Sequence, residues 1–246
     1  MSSTKKFYNS YHQKNNLFYK VIKQNNFTYF YLLEFLKKCN INITGKKVLD
    51  VGCGVGTLSL FFAQQKARFV VGVDVSNRAI SIADQARLSL GYKNVIFRNS
   101  ELKSTIGTFD IVLCSEVIEH IPNDLAFLET IAANLKPGGV LILTTPSLDN
   151  ALFKIGYYTE FDAQVGHLRR YTHGSITQLL ENAGFDVMAL RWVEGPLRNI
   201  LFTSKLGFLI RFIRGPLIPV FHSIDRFSAK LFGASDIQVL AQKKLP

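Results

Sequence analysis

Residues 47–57 read K-V-L-D-V-G-C-G-V-G-T, and this stretch constrains the rest of the chain. Val48, Leu49 and Val51 form an apolar run with one acid, Asp50, inside it. Glycines follow at 52, 54 and 56, and then a helical pattern carried by Leu58, Leu60, Phe61 and Phe62. That order is a buried strand, a tight turn and a helix N-terminus. Glycine has no Cβ and tolerates φ > 0, so such a turn lets the backbone approach a ligand closely. Phosphate-binding loops use similar glycines. Here the spacing is G-x-G-x-G, and Asp50 stands two residues before the first glycine. A carboxylate there repels a pyrophosphate and suits a ligand with a cationic amino group.

A second apolar run, residues 68–74, reads R-F-V-V-G-V-D and ends in Asp74, 18 residues after Gly56. An acid at the end of the second strand of a βαβ unit is placed to accept hydrogen bonds from ribose hydroxyls. S-adenosylmethionine carries both a cationic amino group and a ribose. At these residues the chain resembles the class I S-adenosylmethionine-dependent methyltransferases, over residues 45–185 and a final strand. The resemblance implies an α/β fold. Its core is a Rossmann-like seven-stranded, mostly parallel sheet with helices on both faces. An N-terminal helical cap and a helical insertion between the last two strands complete it. It also implies cofactor contacts from Asp50, Gly52, Gly54, Gly56, Asp74, Val75 and Ser115. The family usually sets an acid after the third strand, against the adenine amino group. This chain has R-N-S-E there, which leaves Asn99 or Ser100, with Glu101 slightly later.

Strands alternating with helices imply a parallel sheet covered on both faces, with ligands at the carboxyl ends of the strands. The pattern places strands at 46–51, 68–74, 94–98, 109–114, 140–144 and 185–193. Helices fall at 57–66, after Ser76 up to Gly91, at 122–135 and at 174–183. Lys136-Pro137-Gly138-Gly139 reads as a turn. Residues 146–172 read as a long connection, and connections of that length are usually functional or disordered. Residues 236–242, D-I-Q-V-L-A-Q, form the seventh strand, which the resemblance makes antiparallel. Residues 1–16 are polar and aromatic, with Tyr8, Tyr11 and His12, and 17–39 are helical in pattern. The resulting division is a cap at 1–44, a core at 45–194 plus 236–246, and an insertion at 195–235.

Residues 114–121 read C-S-E-V-I-E-H-I and follow the fourth strand on the ligand edge. On a helical turn, Glu116, Glu119 and His120 share one face. Two carboxylates and an imidazole together can hold Mg²⁺, Mn²⁺ or Zn²⁺, or the acid and imidazole can bind substrate, supply a base or cap the next helix. The segment is similar to that of ubiquinone-type phenol O-methyltransferases and of small-RNA 3′-terminal 2′-O-methyltransferases. Both carry Glu-x-x-Glu-His here and a later histidine. That resemblance implies a metal set of Glu116, Glu119, His120 and His167. In-line attack on the sulfonium methyl needs alignment, and an oxygen nucleophile also needs its proton removed. His120 is the first candidate base and His167 the second, with Glu116 beside them. Arg169 and Arg170 next to Tyr171 either grip a phosphate or carboxylate or are a solvated loop end.

The net charge of +11, from 29 basic and 18 acidic residues, favours anionic partners. Cys39, Cys53 and Cys114 are an odd, scattered set, which fits a reducing cytosol. Met1 to Ser10 has no apolar h-region, and no stretch of ~18 uncharged apolar residues marks a spanning helix. Residues 199–233 mix Leu, Ile and Phe with Lys205, Arg211, Arg214, Arg226 and Lys230, and contain one acid, Asp225. This is the composition of an interfacial helix, broken at Gly215-Pro216 into two amphipathic pieces. Its other reading is a subdomain face buried on its own sheet or in a homodimer. The chain is thus expected to O-methylate a small or lipid-linked molecule, as a cytoplasmic protein peripheral to the inner face of the membrane. The alternatives are an RNA 2′-O-methyltransferase and an inactive cofactor-binding scaffold.

Overall fold

Strand β1 (Lys47–Val51) shows why the sheet is covered on both sides. Val48 and Leu49 are both fully buried, and strand geometry sends them to opposite faces. Val48 packs with Val70, Leu113 and Phe62 on one face, and Leu49 with Val71, Val112 and Leu128 on the other. The computed structural model describes residues 21–22, 26–104, 106–213, 215 and 217–245. The N-terminal stretch with Tyr8, Tyr11 and His12, the start of the helical pattern, Arg214 and the Arg211 side chain lie outside the described residues.

Helix α1 (Phe30–Lys38) precedes β1, and α2 (Thr57–Gln64) follows the glycine turn. Then come β2 (Phe69–Asp74), α3 (Asn77–Leu90), β3 (Val95–Asn99), β4 (Phe109–Ser115) and a 3₁₀ turn at Ile118–His120. The second half holds α4 (Asp124–Ala133), β5 (Leu135–Pro146), α5 (Ala151–Lys154), α6 (Thr159–Val165), α7 (His173–Asn182) and β6 (Phe185–Val193). It ends with α8 (Pro196–Thr203), a 3₁₀ segment Lys205–Phe212, α9 (Leu217–Phe232) and β7 (Asp236–Lys243). The sheet order is β3-β2-β1-β4-β5-β7-β6, with β7 antiparallel to both neighbours and the other pairs parallel. The carboxyl ends of β1, β2, β4, β5 and β6 therefore share one edge. Local signals agree: the Ser76 hydroxyl accepts the Ala79 N–H, and Gly91 closes α3 with φ +71°.

Three local expectations are corrected. Lys136–Gly139 is not a turn outside the strand but a bulge within β5. Leu135 pairs with Phe109 and Val140 with Ile111, so four residues oppose Asp110 alone. Connection 146–172 is not structureless, since α5 and α6 lie within it. The insertion forms three segments rather than two, because a 3₁₀ run separates α8 from the break before α9.

The insertion is tied to α1 by polar groups. Asp225 accepts from the Tyr31 hydroxyl at 2.8 Å, Gly195 N–H at 2.9 Å and Arg198 N–H at 2.8 Å. A carboxylate at the start of α8 also favours that helix's dipole. The Arg198 guanidinium donates to the Phe27 and Thr28 carbonyls, each at 2.7 Å. Ile218, His222 and Asp225 thus form the inner face of α9. Its outer face carries Leu217, Val220, Ile224, Phe227 and Leu231, every one more than half exposed. Among the described residues no helix is long and apolar enough to cross a membrane.

His222 is fully buried with its ring stacked on Phe30 at 3.9 Å, and neither ring nitrogen has a hydrogen-bond partner. Burial, with Arg198 and Arg226 nearby, lowers its pKa to about 3 from the usual 6.5. Between those values the unfolded chain binds a proton that the folded chain refuses, so stability falls as pH drops. His222→Phe keeps the stack and removes the titrating group. Thermal melts at pH 7 and pH 5 should show a smaller fall in Tm for this variant than for the wild type. Equal falls would contradict the role given to His222.

Candidate active site

The glycine turn follows β1, and all three glycines have positive φ: +68° at Gly52, +53° at Gly54 and +78° at Gly56. A Cβ on Gly52 would lie 2.3 Å from Val117, and one on Gly56 would lie 2.5 Å from the Phe97 ring. A Cβ on Gly54 would meet nothing within 4 Å, so that residue borders open space. Asp74, at the end of β2, accepts the Gly54 N–H at 2.9 Å and the Ser76 N–H at 2.7 Å. Asn99 and Ser100 lie beside it, their side-chain and backbone N–H groups donating to the Asp74 carbonyl. Val75 is half-buried between them and the Ser76 cap. Asp50 is turned inward beneath the turn, where its carboxylate accepts the Ser59 hydroxyl at 2.5 Å. Burial, with Asp74 nearby, raises its pKa to about 7.

At the end of β4, Ser115 bonds Thr144 at 2.9 Å, and the Thr144 hydroxyl donates to Glu116 at 2.5 Å. Glu116 holds φ +56°, a left-handed conformation uncommon for a residue with a Cβ. Its carboxyl is raised by burial, with the Glu194 charge adding to the effect. Both acids line a cavity of about 360 Å³ with Tyr29, Tyr158, His167 and Asp236. Glu194 also has positive φ, +64°.

The 3₁₀ turn buries Glu119 completely. One oxygen accepts the Thr145 hydroxyl at 3.1 Å, and the other, Oε1, has no hydrogen-bond partner. It lies 3.7 Å from His120 Nε2 and 3.9 Å from His167 Nε2. His120 Nδ1 lies 3.0 Å from the Gly166 carbonyl, and His167 Nδ1 lies 2.8 Å from an Asp162 oxygen. Carbonyl and carboxylate oxygens only accept, so both rings carry their proton on Nδ1 and direct Nε2 toward Glu119. Burial, with the Glu116 charge beside it, pushes the Glu119 carboxyl well above its usual range. Burial lowers His120 to about 4.

Glu119, His120 and His167 offer ligand atoms within 4.8 Å of one another. Glu116, expected as a fourth, is outside this triad because its carboxylate turns to Thr144. Arg169 and Arg170 do not stand ready for an external anion. Arg169 pairs with Asp124 at 2.6 Å and the Pro122 carbonyl at 2.8 Å, and Arg170 grips Asp162 with two bonds of 2.6 and 2.8 Å. Burial alone would raise Asp162, but the bonds from His167 and Arg170 outweigh it and hold the carboxyl at about 2. Sequence reasoning missed Asp162, Glu194, Asp236 and Arg198. The T-E-F-D before G-H was visible, but only a helix there turns Asp162 back onto His167.

A glycine turn bound by a carboxylate on the next strand, at the open edge of this sheet, is placed to hold a ribose-bearing ligand. Residues 26–190 match the family described as a methyltransferase domain. The ubiquinone biosynthesis O-methyltransferase of Coxiella burnetii is 32% identical over 184 residues, covering 67% of this chain and 74% of that one. Its counterpart in Haemophilus ducreyi is 41% identical over 108 residues, 41% of this chain and 45% of that one. Among solved structures, magnesium protoporphyrin IX methyltransferase from Synechocystis PCC 6803, with S-adenosylhomocysteine bound, superposes with a TM-score of 0.59. It is 20% identical, covering 99% of this chain and 89% of that one. The [4+2]-cyclase SpnF reaches 0.66 at 19% identity over 98% and 93%, so the fold alone does not fix the chemistry. The chain belongs to the methyltransferase-domain family, and it is an S-adenosylmethionine-dependent methyltransferase.

Proposed function

We propose that the chain moves the methyl group of S-adenosylmethionine to an oxygen of a small acceptor held in the 360 Å³ cavity. The observation that carries this reading is the meeting of Glu119, His120 and His167, the last of which lines that cavity. Three lone-pair groups face one another, one of them a buried oxygen without a partner. Such an arrangement suits a divalent cation, with both imidazoles oriented by acceptors on their other nitrogens. Two imidazoles and one carboxylate favour Zn²⁺ or Mn²⁺ over Mg²⁺. When bound, the cation would lower the pKa of an acceptor hydroxyl. Glu119 and the two histidines would hold it. Asp74 would grip the ribose, and the glycine turn would admit the cofactor's backbone contacts. His167, which lines the cavity, is better placed than His120 to take a proton at Nε2. Asn99 and Ser100 would face the adenine, with Asp50, Gly52, Gly56, Val75 and Ser115 shaping the floor.

The acceptor is lipid-linked in this reading, and the protein is peripheral at the inner face of the membrane. What supports it is the outward row Leu217, Val220, Ile224, Phe227 and Leu231, with Lys205 and Lys230 exposed nearby and Asp225 turned inward. Burying each such side chain contributes ~1.5–3 kcal/mol. Anionic liposomes should float the wild type, and salt should weaken this without abolishing it. Ile224→Asp with Phe227→Asp should lower liposome binding more than tenfold while cofactor affinity stays unchanged. A wild type that stays off liposomes and runs as a dimer makes this row a subunit interface instead. Labelled methyl groups appearing on RNA rather than on phenolic or lipid-linked hydroxyls would replace the proposed acceptor class. No transfer to any acceptor, with cofactor bound, would make the chain a scaffold.

A further inference from the structure

The Asp162 carboxylate makes three hydrogen bonds to two side chains, one of which is the cavity-lining imidazole. Its Oδ1 accepts from His167 Nδ1 at 2.8 Å and from Arg170 Nη2 at 2.6 Å, and its Oδ2 accepts from Arg170 Nε at 2.8 Å. Its backbone carbonyl accepts the Gly166 and His167 N–H groups, both at 2.9 Å. Asp162 therefore fixes the main chain and the ring of His167 together. Arg170 is itself held. Its side chain is nearly buried, its guanidinium lies 4.4 Å over the Tyr158 ring, and Nη1 reaches the Ser147 carbonyl just past β5. The next residues are pinned as well: the Leu168 N–H donates to the Glu119 carbonyl at 2.9 Å. Helix α6 has no buried residue of its own, so these polar contacts set its position.

We propose that Asp162, locked by Arg170, is the positioning residue that keeps His167 in the Nδ1–H tautomer and presents its Nε2 lone pair toward Glu119 at the cavity wall. A carboxylate cannot donate, so the ring proton must lie on Nδ1 as long as this contact holds. Without the contact, the ring is free to move its proton to Nε2. Nε2 would then point an N–H at the place where the reaction needs a lone pair. The same logic makes an orienting carboxylate decisive wherever a histidine must act through one defined nitrogen. Its consequence for catalysis rests on the function proposed above. The tautomer itself does not.

Long-range ¹H–¹⁵N spectra at pH 8, without added metal, read the tautomer of His167 directly. The wild type should show a protonated Nδ1 and an unprotonated Nε2. A wild type with the proton on Nε2 overturns the inference, whatever the variants do. Asp162→Ala should move His167 to the Nε2–H form and lower kcat about ten- to a hundredfold. Cofactor affinity and the acceptor KM should change little. Asp162→Asn, which keeps an acceptor oxygen, should restore part of both signals. An unchanged His167 spectrum in Asp162→Ala overturns the inference, and so does equal loss of cofactor affinity in both variants. A shifted tautomer with unchanged kcat would uphold the positioning by Asp162 and reject the role given to His167 in the reaction.

Discussion

Replacing Asp74 with alanine is expected to lower S-adenosylmethionine affinity about tenfold or more. Each charge-assisted hydrogen bond lost contributes ~1.5–3 kcal/mol, and ~1.4 kcal/mol is a factor of ten. The effect has two parts. A ribose loses its acceptor, and the turn loses its tie, since Asp74 now holds the Gly54 and Ser76 N–H groups. Calorimetry with purified protein reads it, and unchanged affinity would remove Asp74 from the site. Gly54→Val should bring binding below detection. Its Cβ would have room within the protein, so the loss comes from strain at φ +53° and from filling the open side of the turn.

If the triad holds the proposed cation, exhaustive chelation takes methyl transfer to background and Mn²⁺, Zn²⁺ or Mg²⁺ restores it. Glu119 makes this effect large. It is fully buried with one oxygen unpartnered, so in the absence of a cation the site stays protonated or strained. Cofactor affinity should survive chelation, because Asp74 and the glycine turn hold no part of the triad. Full transfer after chelation would leave His120 and His167 as proton acceptors or substrate contacts only.

The core was legible because its signals are local. A run such as V-L-D-V ending in G-x-G-x-G has few ways to fold, and an acid closing the next apolar run has one natural place. Glu119 and His120 were legible from residue type and spacing after the fourth strand, whereas His167 came from the resemblance, by its place in the loop before a Thr-started helix. What escaped depended on the chain turning back on itself. Lys136-Pro137-Gly138-Gly139 has turn composition, yet strand pairing on both sides absorbs it as a bulge. Arg169 and Arg170 have the composition of an anion grip, yet Asp124 and Asp162 had already claimed them. No spacing rule links those acids to those arginines, because the link runs through α6 and the start of α4. Arg198 and Asp225 were hidden in the same way, as charges in an apolar insertion whose partners, Phe27, Thr28 and Tyr31, lie in and just before α1.

That last link has a bearing on the order in which the molecule assembles. Tyr31 meets Asp225 across 194 residues and Arg198 meets Phe27 across 171. Contacts between such distant segments reward the chain only after the intervening loop has closed. The segment around α1 is made well before its partner helix, so β1 to β5 can pair while Phe27, Phe30 and Tyr31 still wait, whereas β6 joins only once β7, which follows α9, lies between it and β5. The polar knot between α1 and α9 is therefore a late closure, made together with the insertion of β7 into the sheet.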